Sequence, residues 1–235
     1  MSIKKTLAPA AAVWAVAAST LTGVCAGQGG RATSTTAPLA LPAPSTPVIE
    51  NVQVHAAVVT APLHITSLHE SSLNRVMVYL DAGTERLSCG GRVDYRTFHA
   101  GEIRWIPREV GYTSENTGSA PCRVLEIELK GHRNPVQFGA SDPVRLGLKE
   151  YEVLLDNSQV RVLHARIAAK GQLPFHEHGL NRIVVYLTDQ HMLLTEDGGK
   201  VREVTAKAAE VRWSGPTKHG EVNLNNSPFE LSWWS

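Results

Sequence analysis

His176-Glu177-His178-Gly179-Leu180-Asn181-Arg182-Ile183-Val184-Val185-Tyr186-Leu187 repeats, 107 positions later, the stretch His69-Glu70-Ser71-Ser72-Leu73-Asn74-Arg75-Val76-Met77-Val78-Tyr79-Leu80. Outward from this pair the correspondence continues. Upstream, Glu50-Asn51-Val52-Gln53-Val54 answers Asp156-Asn157-Ser158-Gln159-Val160; downstream, Gly101-Glu102-Ile103-Arg104-Trp105 answers Ala209-Glu210-Val211-Arg212-Trp213. A chain that restates itself at a nearly constant spacing, 106 to 108 positions over these stretches, is built from two copies of one structural unit. In each copy the runs Arg75 to Leu80 and Arg182 to Leu187 are rich in Val, Ile, Met and Tyr, which suit strands. Gly90-Gly91 and Gly198-Gly199 mark hairpin turns, and the short apolar runs Val124 to Leu129 and Phe229 to Trp234 close the copies. Helical periodicity is absent outside the N-terminal apolar segment. Many short strands with regular turns predict an all-β sandwich or closed barrel in each half.

The copies differ where metal chemistry would sit. Only the second has the His176-x-His178 pair, and only it adds His219-x-x-x-Asn223; the first offers Ser71 and Tyr112 instead. Residues two apart on a strand point to one face, so His176 and His178 aim together into the barrel. Three imidazoles on one side suit a transition ion (Fe, Mn, Ni, Cu or Zn) and leave positions for water or a small molecule. The other reading of His176, His178 and His219 is a hydrogen-bonded polar patch. In the first copy His69 and Tyr112 make a poor donor set and read as packing residues. Trp105, Trp213, Trp233 and Trp234 read as core or inter-barrel packing.

The order strand, His-x-His, strand, hairpin, Gly-Glu-x-x-Trp, His-x-x-x-Asn resembles the cupin family. Two copies over roughly residues 49 to 235 look like a bicupin. The resemblance implies two tandem cupin-type jelly-roll β-barrels: an N-terminal one over 49–131 with a degenerate site, a connector over 132–150, and a C-terminal one over 151–235 with the candidate site. It implies a metal held by His176, His178 and His219, as in cupin oxygenases and isomerases. It also allows metal-free binding of a small anion or carboxylate, or a structural envelope protein, because fold alone does not select function. The family pattern puts an acid four residues after the second histidine, and here that residue is Arg182, which cannot ligate a metal. Arg75 holds the same place in the copy without the histidines. Arg182 is therefore expected to pair with Glu210 and Arg75 with Glu102, a buried charge needing a partner. Alternatively Arg182 clamps a substrate carboxylate. Asn223 is a candidate ligand-binding residue whose other reading is satisfying loop backbone groups. Cupins often pair, so a homodimer is an expectation from the resemblance.

Before the first copy, Lys4-Lys5 lead an uncharged apolar stretch from Leu7 to Val24, ending in Val24-Cys25-Ala26. This pattern predicts a signal peptide over 1–26 and an exported chain, periplasmic or secreted. Leu21-Thr22-Gly23-Val24-Cys25 also resembles a bacterial lipobox, in which Cys25 would be lipidated; only then is a membrane partner expected. Residues 27–48, rich in Gly, Ser, Thr, Ala and Pro, read as a flexible linker. In an exported chain Cys89 and Cys122 are a candidate disulfide, two separate core thiols being the other reading. Acids and bases nearly cancel, at 22 and 23, and loss of Lys4 and Lys5 turns the formal +1 into −1. Nothing in that balance suggests nucleic acid. No Gly-x-Ser-x-Gly and no phosphate-cradling loop appears. A small-molecule partner is what remains.

Overall fold

The computed structural model describes residues 43–108, 110–131 and 138–235, together with Ser19 and Thr20. Apart from β1 (Ser19–Thr20), the first half contains β2 (Ser45–Glu50), β3 (Val54–Ala61), β4 (Thr66–His69), β5 (Arg75–Tyr79), β6 (Gly83–Cys89), β7 (Arg92–Phe98), β8 (Ile103–Ile106), β9 (Tyr112–Asn116) and β10 (Cys122–Leu129). The second contains β11 (Tyr151–Asp156), β12 (Arg161–Ile167), β13 (Gln172–His178), β14 (Arg182–Tyr186), β15 (Gln190–Glu196), β16 (Val201–Ala206), β17 (Val211–Ser214), β18 (Thr217–Asn223) and β19 (Phe229–Trp234). One sheet of the first half runs β8-β5-β10-β3-β2, and its counterpart in the second runs β17-β14-β19-β12-β11. The facing sheets run β4-β9-β6-β7 and β13-β18-β15-β16. Each half is thus an all-β jelly-roll barrel, and the strand orders correspond one to one. β1 adds a parallel pairing beside β8.

The unbroken apolar runs of β5 and β14 have a physical reason. Both strands are buried along their whole length, because each has a barrel interior on one face and the other barrel on the other. Met77 and Tyr79 pack inside the first barrel, Val184 and Tyr186 inside the second. The alternate residues Val76, Val78, Ile183 and Val185 meet in one cluster with Leu125, Ile127, Val162 and Trp234. The barrels therefore share a core. Both double glycines turn hairpins with positive φ at each residue: Gly90-Gly91 is the whole two-residue turn between β6 and β7, whereas Gly198-Gly199 lies within the longer 197–200 turn between β15 and β16.

Several expectations change on the structure. The linker expected through residue 48 ends earlier, since Ser45–Glu50 is a strand: it registers with β3 from Ser45↔Val59 to Glu50↔His55, and the ladder satisfies its backbone. The expected signal peptide 1–26, with Cys25, and residues 27–42 lie outside the described residues except for Ser19 and Thr20. No helix among the described residues is long and apolar enough to cross a membrane. The Cys89–Cys122 bridge is not formed, because Cys122 carries a free, buried thiol. Cys122 opens β10 and Cys89 ends β6, in two different sheets. Cys89 is itself disulfide-bonded, so its sulfur is not open to Cys122. Burial pushes the Cys122 thiol up to about 11, so it behaves as a small apolar core residue.

Candidate metal centre

β13 and β18 pair so that His176 stands opposite His219, and the two-residue alternation brings His178 to the same interior. The ligand atoms of the three histidines all lie within 4.8 Å of one another. His176 Nδ1 donates to the Pro174 carbonyl (2.9 Å), which fixes the tautomer and turns the Nε2 lone pair inward. There it lies 3.2 Å from His178 Nε2 and accepts from the Tyr151 hydroxyl at 3.0 Å. His219 rests its Nδ1 on the Thr217 hydroxyl (3.3 Å), leaving Nε2 for the cavity. Thr217 also accepts from Arg182 Nη2, and Arg182 Nη1 donates to the Gly215 carbonyl, both at 2.8 Å.

The electrostatics keep these imidazoles neutral. Burial, followed by the charge of Arg182 and the neighbouring histidines, holds His178 well below the usual imidazole range. Burial, then His176 and Arg182, pushes His219 down to about 3, and burial lowers His176 too. Arg182 is itself drawn down by burial to about 10 and stays a cation at neutral pH. Burial raises Glu221 to about 7 against the opposing pull of Arg182 and a bond with Tyr151.

The donor set fits a divalent transition ion. His176 Nε2 and His178 Nε2 lie 3.2 Å apart, a separation that two ligands of one ion take. Neutral His nitrogens are the ligand form such ions need. His176, His178 and His219 would hold it. When bound, it supplies Lewis acidity toward an oxygen of the ligand or activates water or O₂. The site opens on a cavity of about 300 Å³, whose lining includes Tyr151, Arg182, Arg202, Arg212, Glu221 and Trp233.

The first barrel has no such arrangement. His69 stacks on Tyr112 at 4.6 Å, its Nδ1 bonds Glu126 (3.1 Å), and its Nε2 bonds Ser114 (2.8 Å). Both ring nitrogens are used, and the interior cavity shrinks to about 20 Å³. Burial pushes the Glu126 carboxyl up, but the His69 bond and the charges of His69 and Arg75 more than offset this and hold it below the usual range. A carboxylate lowered in the folded state contributes stability above its unfolded pKa and loses it as pH falls through the folded one. Urea midpoints measured from pH 7 down to pH 3 are therefore expected to fall less steeply for Glu126→Gln than for the natural chain. An unchanged acid slope would remove Glu126 from the account.

No protein-family model and no curated protein matches the chain. Solved structures do. A cupin 2 conserved barrel domain protein from Leptotrichia buccalis aligns at 11% identity and a TM-score of 0.54, covering 84% of this chain and 90% of that one. AerE from Microcystis aeruginosa aligns at 13% identity and a TM-score of 0.54, over 82% and 96%. An oxalate decarboxylase from Bacillus subtilis, described with Mn(II) centres, aligns at 10% identity and a TM-score of 0.56, over 83% and 73%. The fold is the cupin fold.

Within the cupin barrel the expected site residues divide. His176, His178 and His219 come together, and Arg182 lines the same cavity. Asn223 does not face a ligand: it is fully buried, and its amide donates to the carbonyls of Ile167, Ala168 and Ser227. The expected ion pairs also differ. Glu210 bonds Arg212 at 2.6 Å, and Glu102 bonds Arg104 at 3.2 Å. Both acids also cap turn N–H groups, of Lys207 and His99. Arg182 and Arg75 turn instead into their own barrels, Arg75 toward Glu126 at 3.7 Å. Tyr151 and Glu221 join the site without belonging to the histidine motif. For Glu221 a signal exists: it sits between His219 and Asn223 at the two-residue spacing that shares a strand face.

Proposed function

We propose that the second barrel holds a divalent transition ion on His176, His178 and His219 and binds or transforms a small organic molecule in the adjoining cavity, in an exported chain. The observation that carries this reading is the convergence of three neutral imidazoles, two of which, His178 and His219, line a cavity of about 300 Å³. The Mn(II) centres described for the similarly folded oxalate decarboxylase support a first-row ion. The basic start and apolar segment before Ala26 support export. Elemental analysis of protein purified without added metal is expected to give about one first-row ion per chain, lost in His176→Ala and His219→Ala. Unchanged metal content in both variants would sink the reading.

A metal-free anion site is the second reading, favoured by Arg182, Arg202 and Arg212 around one cavity. It predicts that chelator-treated protein binds malonate, that His219→Ala leaves this binding intact, and that Arg182→Gln abolishes it.

A further inference from the structure

Arg182 stands where the resemblance asks for an acid, yet the cavity still contains one. Glu221 lies on β18 two residues beyond His219 and faces the same interior. Only 7% of it is exposed. Its Oε2 is 4.0 Å from His219 Nε2. Two donors each about 2.1 Å from a shared ion lie about 3 Å apart when adjacent and about 4.2 Å apart when opposite. Glu221 and His219 are thus at the wide end of what one ion spans, His176 and His178 at the narrow end with 3.2 Å; Glu221 stands outside the 4.8 Å set that the three histidines form, so its side chain must swing inward to join them.

Charge gives an independent reason. Arg182 directs its Nη1 and Nη2 to Gly215 and Thr217, not to a fork around Glu221. The Glu221 carboxyl keeps a bond with the Tyr151 hydroxyl and feels Arg182 without pairing to it, and a buried carboxylate without a paired cation is costly. The two halves supply the decisive comparison. At the position 107 residues before Glu221 stands Ser114, bonded to His69, and 107 before His219 stands Tyr112. The half without the histidine set is also without this carboxylate. The arginine, in contrast, is common to both halves.

We propose that Glu221 is the fourth, anionic ligand of the centre, supplied from β18 in place of the acid absent from β14. This rests on the three-histidine reading. Its negative charge offsets the repulsion that Arg182 exerts on a dication in the same cavity. The test uses the full chain stripped by chelator and titrated with Mn(II) alone, by calorimetry and by Mn(II) magnetic resonance. Glu221→Gln and Glu221→Ser are expected to lower Mn(II) affinity by about 100-fold or more, at or beyond the upper end of what loss of an outer supporting partner gives. They are also expected to change the Mn(II) spectrum. Unfolding midpoints of the metal-free variants should match or exceed the natural chain, since a buried charge is removed. Equal affinity and an unchanged spectrum in both variants would overturn the assignment and leave the three-histidine reading standing. A natural chain that takes up neither Mn(II) nor Zn(II) overturns both.

Discussion

Trp234→Ala is expected to destabilise the protein by about 3–5 kcal/mol, the range for truncating a large aromatic in a packed core. Trp234 is 3% exposed and sits in the one cluster to which both barrels contribute. Its indole N–H has no hydrogen-bond partner among the described residues, so the loss is one of packing. Because the cluster also contains Val76, Val78, Leu125 and Ile127, the damage should reach the first barrel. Cys122 gives a reporter there, being a buried thiol on β10. Its labelling by a thiol reagent, read on the Cys122 peptide, is expected to quicken by roughly two to three orders of magnitude if labelling requires cooperative opening. A variant that loses stability while Cys122 labels at the natural rate would show that the barrels unfold independently.

The same shared core explains what could and could not be read in advance. The run Val76-Met77-Val78-Tyr79 and its counterpart announce strands, and their lack of alternation is the mark of burial on both faces. His176, His178 and His219 are legible because strand alternation and motif order both operate locally. Side-chain partners are not local. Arg182 and Glu210 lie on paired strands or their approach, yet the pleat sends one inward and leaves the other on the turn at Lys207. Tyr151 reaches His176 only because β11 lies across the barrel from β13, a relation that no spacing encodes. Cys89 and Cys122 look like partners in sequence, yet Cys122 is a free thiol and Cys89 is disulfide-bonded without it.

Glu85→Met is expected to cost about 3–5 kcal/mol, although methionine is the residue 107 positions later, at Met192. Glu85 gathers the Tyr79 hydroxyl at 2.8 Å, Arg96 Nη2 at 2.6 Å and Arg104 Nη1 at 3.1 Å. Arg104 is 1% exposed, and its remaining acid is Glu102. Removing Glu85 leaves a buried guanidinium short of its counter-charge, and that desolvated charge is the source of the cost. The double variant Glu85→Met with Arg104→Leu should recover most of the loss, because a buried ion pair replaced by apolar groups of similar size is often neutral. Urea unfolding of the two single variants and the double completes the cycle. Additive losses would show that shape, not charge, governs the position. A recovered double would mean that this polar network fills the first barrel, where about 20 Å³ of cavity remains, without being what makes it stable. The second barrel has Met192 at that place and a cavity of about 300 Å³ beside its histidines. The polar network around Glu85 and the cavity beside Met192 are then alternative ways of occupying the same place in one scaffold.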